Sequence, residues 1–399
     1  MLNYLGNFTS STLSTIFVVF AICALGYMLG AIEIKGVSLG SAGVLLVALV
    51  WGVLCNYVPA FEIGDVTVNL YNPTIKANFG VVSNIGTALF VTAVGLIAGP
   101  KFFRTFNRKS LAYILMGVVV ISAGALATIL FIAIDPNLSA EMGVGLLMGG
   151  LTSTPGLSAA KDVAANTDAL TAGYAIAYLF GVLGVVLFVQ LVPKFLRVDI
   201  DKERESFVAA AGITVKEDTK KRRSMDPFGF FPFFLAIALG VLIGSVKIPG
   251  INFSLGTSGG TLVAGLVIGH FGHVGPFDCR IKKETLNFFR ELGLVLFLVG
   301  AGVPGGVNFV SNLKLTYFLY GAAMTMIPML LGFILGKYVF KLSIFNNLGS
   351  ITGGMTSTPA LGALISTAKT DDVSSSYAAT YPIALVMVVL AAKIILMVF

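Results

Sequence analysis

Two nonapeptides, GGLTSTPGL at 149–157 and GGMTSTPAL at 353–361, agree at seven of nine positions and interrupt otherwise apolar sequence. Proline suits the first turn of a helix, where no N–H is needed, and threonine before it is a favourable N-cap. Thr154 and Pro155 are therefore expected to open one short helix running to about Ala164, and Thr358 and Pro359 another running to about Ala368. Gly149 and Gly150, with Gly353 and Gly354, let the chain unwind ahead of them. Each break then offers the hydroxyls of Thr152, Ser153 and Thr154, or of Thr356, Ser357 and Thr358, beside free N–H groups and the positive end of a helix dipole. An anion, most simply a carboxylate, is the natural ligand of such a place. Glycine and hydroxyl residues also pack helices closely, but a second copy at an equivalent break favours a binding role.

The elements that carry these breaks belong to a membrane protein. The 399 residues are 56% hydrophobic and only 11% charged, well under the quarter usual for soluble domains. The net charge of +7 does not point to nucleic acid, because the basic residues cluster between apolar runs as they do in cytoplasmic loops. Cys23, Cys55 and Cys279 form no legible disulfide framework. His270 and His273 lack the acidic or cysteine company of a metal site. The run Gly300–Gly305 fits GxGxxG but ends an apolar span, without the strand and helix of a dinucleotide fold. Paired catalytic carboxylates, HExxH and a serine–histidine set are absent from the sequence, so neither an enzyme nor a cofactor is expected.

Apolar runs long enough to be helices lie at about 13–31, 37–55, 84–99, 111–134 and 169–193, then at 228–246, 255–271, 288–303, 315–339 and 374–398. Two more, 141–164 and 344–368, contain the breaks. The loops 101–109, 194–223 and 280–290 are basic, whereas 135–141 is acidic. If the broken segments dip in and return, all the basic loops share the cytoplasmic side, as the positive-inside tendency asks. The expectation is an all-α membrane protein with ten spans, two re-entrant hairpins and both termini outside. Residues 1–193 form one repeat, 194–227 a cytoplasmic linker and 228–399 a second repeat. Five spans per half force the halves into opposite orientation, the usual framework of alternating access. Glycine-rich stretches at 36–52 and 256–269 suit tight packing in a scaffold and a homodimer.

Charges inside the apolar sequence are few, and an ionisable group at membrane depth is functional by default. Lys161 and Asp162 follow the first break closely and are candidates for substrate or coupling-ion contact. Arg290 and Glu291 open a span as a pair or a cytoplasmic gate, and Asn84, at the corresponding start of the third span, is a candidate polar lining. Asp168, Lys369, Asp371 and Asp372 are expected near the interface, and Lys393 to snorkel outward. Asn7, Asn137 and Asn252 stand in sequons on loops expected outside.

With Gly-Gly-x-Thr-Ser-Thr-Pro written once in each half, at 149–155 and 353–359, the chain resembles the aspartate:alanine exchanger family of bacterial secondary transporters. The resemblance covers both membrane halves. It implies exchange of small amino acids or dicarboxylates, in the manner of aspartate entering while alanine leaves, without ATP hydrolysis. The expectation is a transporter of aspartate, alanine or succinate-like solutes in the bacterial inner membrane, without a cofactor, in which the hairpin-bearing domain slides as an elevator against a scaffold. Many members carry regulatory ligand-binding domains in the central region, where this chain has only a short linker. The alternative is a sodium-coupled carboxylate symporter resembling the glutamate:sodium type, and a channel ranks below both.

Overall fold

The computed structural model describes residues 12–34, 37–38, 40–63, 66–102, 111–198, 223–248, 253–307, 309–370 and 373–399. Most of the linker, the basic loop beyond Phe102, Asp371, Asp372, Asn7 and Asn252 lie outside these residues. The first half runs α1 (Thr12–Gly30), α2 (Ala42–Tyr57), α3 (Pro73–Phe102), α4 (Leu111–Ile134), α5 (Ala140–Gly150), α6 (Thr154–Lys161) and α7 (Thr167–Phe195). The second runs α8 (Phe230–Ser245), α9 (Gly256–Phe271), α10 (Lys283–Val307), the single turn α11 (Phe309–Asn312), α12 (Leu315–Ile334), α13 (Ile344–Gly354), α14 (Thr358–Ala368) and α15 (Ser374–Val398). A π-helical turn, Leu335–Val339, extends α12. Among the described residues six helices are long and apolar enough to cross a membrane, those of α3, α4, α7, α10, α12 and α15, and shorter apolar helices lie within α1, α2 and α8.

Two features depart from the hydropathy reading. Helix α3 starts at Pro73 and not near 84, because Asn72 caps it: its Oδ1 accepts from the Ile75 N–H at 2.8 Å. Its first turns carry Lys76 and Asn78, which an apolar window skips. Four two-stranded antiparallel ribbons also join helix ends, at 33–38, 60–69, 247–254 and 273–278. With only two to four residues per strand, they are too short for a sequence period to reveal.

Glycine sets how the helices meet. A Cβ at Gly293 of α10 would stand 2.7 Å from the Gly86 carbonyl of α3, and one at Gly300 would stand 2.6 Å from the Phe79 carbonyl. Rising numbers on one helix meet falling numbers on the other, so these two helices of equivalent rank run antiparallel. By the same contacts α9 runs parallel to α3, through Gly265 at Gly95 and Gly269 at Gly99, and α2 parallel to α10, through Gly52 at Gly306. Each helix of the second half in this layer thus opposes its counterpart in the first.

The broken segments have their own arrangement. Gly145 of α5 packs on Leu170, and Gly149 packs on Tyr174 and Ala177 of α7, so α5 and α7 ascend side by side in the same sense. The chain must come back between them, and α6 is the returning arm. Gly349 at Val373 and Ser376, and Gly353 at Tyr377 and Thr380, give α13 and α15 the same relation, with α14 returning. Gly149 and Gly353 therefore do not unwind the chain. Both are helical, and their missing side chains let each entering arm lie on the next long helix.

Before α8, Asp226 organises the helix start: its Oδ1 accepts from the N–H groups of Phe228, Gly229 and Phe230, and its Oδ2 from Phe231 at 2.9 Å. Desolvation pushes this carboxyl up, but the four donors outweigh it and hold it below the ordinary carboxylate value. A depressed carboxylate adds stability that is present above its unfolded value, near 4, and is lost as pH falls through the lower folded value. In Asp226→Asn that acid-range loss of thermal stability should be absent from a pH series of melting curves. Gly86→Ala, whose Cβ meets the α10 backbone, is expected to cost about 1–3 kcal/mol and to lower the melting temperature in detergent. Gly80→Ala, with nothing within 4 Å of its Cβ, serves as the unaffected control.

Candidate functional site

The two breaks meet each other. Thr152 Oγ1 donates to the Met355 carbonyl at 3.1 Å, and Thr356 Oγ1 donates to the Leu151 carbonyl at 3.2 Å. The pair is reciprocal because both tips have the same backbone: Thr152 and Thr356 each sit in the left-handed region at φ 52°. That region is unusual for a β-branched residue and costs about 1–3 kcal/mol at each. The crossed hydrogen bonds, each worth about 1 kcal/mol net, offset part of that strain and satisfy two carbonyls at the helix breaks. Thr325 Oγ1 of α12 serves Gly150 at the first tip in the same way, donating to its carbonyl at 3.1 Å.

The caps lie one residue before the expected ones. Ser153 is the N-cap of α6, its Oγ accepting from the Gly156 N–H at 3.3 Å, and Thr154 is the first helical residue. With serine as the cap the proline falls at the second helical position, still in the first turn, where no N–H is required. Thr154 Oγ1 instead shares a hydrogen bond with Tyr174 Oη at 3.2 Å. Helix α6 ends at Lys161, short of Ala164, whereas α14 reaches Ala368. At the second tip Ser357 occupies the cap position without a side-chain bond, and its buried Oγ has no partner among the described residues. Pro155 is buried, and Pro359 stands in the first turn of α14, opened by Thr358. Gly354 lies against Val120 of α4, and Gly150 against Thr325.

From the first tip, α6 descends onto the layer formed by α3, α9 and α10. Ser158 Oγ donates to Thr87 Oγ1 at 2.9 Å, Lys161 Nζ donates to Ser83 Oγ at 3.1 Å, and Ser258 Oγ of α9 donates to Ser158 Oγ at 3.2 Å. The Lys161 ammonium also lies 5.6 Å from the centre of the Phe297 ring, within cation–π range. Asp162 Oδ2 accepts from the Ser258 N–H at 3.2 Å and stands 3.8 Å from Lys393 Nζ. Lys393 thus corrects the outward reading: it is fully buried against Asp162, since the start of α9 closes over the end of its side chain. Asp168 pairs with Lys76 at 2.7 Å.

The cytoplasmic candidates separate. Glu291 Oε1 accepts from Tyr27 Oη of α1 at 3.0 Å and acts electrostatically on Tyr178, while Arg290 acts on Tyr381. Among the described residues they form no ion pair with each other, because adjacent helical positions point about 100° apart. Asn84 is exposed; its neighbour Ser83, with Thr87 one turn on, faces the returning arm. Sequence reasoning missed Ser83, Thr87, Ser158, Ser258 and Tyr174. The spacing of Ser83 and Thr87, four apart on one helix face, was the available signal.

The model of the Asp-Al_Ex family, described as a predicted permease membrane region, matches residues 18–194 and 232–397. The chain belongs to this family. Relatives carry the Asp-Al_Ex sequence across almost its whole length. An "uncharacterized transporter" of Bacteroides fragilis is 29% identical over 97% of this chain and 99% of its own. One of Bacteroides thetaiotaomicron is also 29% identical over the same shares, and one of Desulfotalea psychrophila is 23% identical over 96% of each chain. The first of these alignments spans 548 positions, well beyond the 399 residues here, so that relative carries additional chain. This Asp-Al_Ex protein is a membrane transporter and not an enzyme.

The crossed tips make a testable pair of differences. Thr152→Val and Thr356→Val should each lose about 1 kcal/mol, and the double variant should depart from additivity, because the two bonds hold one contact. Ser153→Ala should lose about 1 kcal/mol of cap energy while Ser357→Ala loses none of it; melting curves of the purified protein rank the four.

Proposed function

We propose that this transporter exchanges small amino acids or dicarboxylates by alternating access. The chain then forms two inverted repeats, 1–193 and 228–399, of five spans and one re-entrant hairpin each, with 194–227 as the cytoplasmic linker, in the inner membrane with both termini outside. The transporter would act as a homodimer. The observation that carries this reading is an asymmetry between two arms that the sequence makes equivalent. Arm α6 is hydrogen-bonded to α3 and α9 through Ser158, Lys161 and Asp162. At the matching positions of α14, Gly362 has nothing within 4 Å of its Cβ position and Ser366 is exposed. One arm docked and the other open is what a carrier with its path closed on one side and open on the other requires. Exchange of the two arrangements would carry the joined tips across the fixed layer, in the manner of an elevator.

The tips would supply the polar material for a small anion: the α6 and α14 N-termini, with their positive dipole ends, and the hydroxyls of Ser153, Thr154 and Ser357. The Thr152 and Thr356 hydroxyls hold the tips together, and their backbones shape the site. Counterflow in proteoliposomes tests the reading. Vesicles loaded with unlabelled aspartate should take up labelled aspartate or alanine at least tenfold faster than empty vesicles, in sodium-free buffer. Uptake that needs sodium and no internal substrate would instead establish the symporter.

A further inference from the structure

Where α6 docks on α3 the structure gathers proton donors without enough acceptors. Ser83 and Thr87 are buried, and each accepts a bond, from Lys161 Nζ and from Ser158 Oγ. Neither hydroxyl proton has an acceptor among the described residues, although helical threonines elsewhere in the chain, such as Thr128, bond back to their own helix at 2.9 Å. Lys161 carries three N–H donors and uses one of them on Ser83. Among the described residues no carboxylate stands within ion-pairing distance of its ammonium, since Asp162 pairs with Lys393 and Asp168 with Lys76. The half-buried ammonium feels Asp168 and Asp162 only from beyond that distance, and four spare donors on one face match the lone pairs of one oxyanion.

The cluster stands well inside the start of α3. Ser83 stands seven residues inside Lys76 on α3, about 10 Å along the helix axis. The surface ion pair of Lys76 with Asp168 therefore lies above the Lys161 ammonium. We infer that Lys161, with Ser83 and Thr87, is the carboxylate-binding and specificity-determining group of the transported solute; this rests on the carboxylate reading of the previous section. Phe297, beside the ammonium, excludes water on the opposite side. The second half carries the counterpart with its charge moved. In the register that pairs Leu89-Phe90 with Leu296-Phe297, Ser83 corresponds to Arg290; in the register of the two motifs, Lys161 corresponds to Ile365. Each half thus carries one cation in these registers, on the arm in the first and on the long helix in the second. A carboxylate would find a partner at either end of the path.

Thermal-shift titration of the full-length protein with L-aspartate, L-alanine and succinate tests the assignment. The wild-type protein is expected to be stabilised by at least one of them, since a ligand of the native state raises its melting temperature. Lys161→Gln should weaken that apparent affinity roughly 10–100-fold, the equivalent of losing a charge-assisted bond, while Lys161→Arg keeps most of it. Should Lys161→Gln not fold, the Ser83→Ala, Thr87→Val double variant is read instead and should weaken binding about tenfold. Unchanged affinity in a folded Lys161→Gln, or in the double variant, overturns the assignment while leaving the carboxylate reading intact. A wild-type protein that responds to none of the three compounds defeats that reading and this assignment together.

Discussion

Backbone polar groups inside a bilayer have no water to fall back on, and a helix break at that depth leaves several of them without partners. The fold meets this constraint by bringing its two breaks together, so that each tip supplies hydroxyls for the carbonyls of the other. The duplication of the motif follows from this reciprocity. A single Thr-Ser-Thr-Pro break would need an unrelated partner of matched shape, whereas the two copies, facing each other, satisfy each other. The left-handed threonines, identical in φ at both tips, are the local cost of that geometry.

Two reciprocal hydrogen bonds join the tips of the returning arms, but only one arm is hydrogen-bonded to α3 and α9. Arm α6 ends in Lys161 and Asp162, which find Ser83, Ser258 and Lys393; α14 has an isoleucine and a serine at those positions. The difference in polar contacts is a handful of hydrogen bonds and one ion pair, an amount that a charged ligand's binding energy can match. Close glycine-lined packing fixes α3 against α10, because any separation there would open backbone-to-backbone contacts.

Hydropathy and charge in the sequence located nearly every long helix, and the proline rule located both breaks, because these signals are local. What depended on tertiary contacts was not legible. The glycines before each break read equally well as unwinding points and as packing points, and only the neighbouring helix decides for packing. Lys393 read as a snorkelling side chain because its partner, Asp162, lies 231 positions away in sequence. Ser83 and Thr87 look like ordinary small residues of an apolar helix until Lys161 and Ser158 are placed opposite them, whereas Asn84, the more conspicuous polar residue, is exposed. The N-cap slipped by one residue because three consecutive hydroxyl residues all qualify.

In the proposed exchange the α6 arm is released from the layer of α3 and α9 during each cycle. Cysteines at Ser158 and Ser258, whose hydroxyls are 3.2 Å apart, in a chain whose Cys23, Cys55 and Cys279 are replaced by alanine, would tether the arm to α9 when oxidised. Substrate exchange by the reconstituted protein should stop on oxidation and return on reduction. Undiminished exchange by fully cross-linked protein would contradict the account.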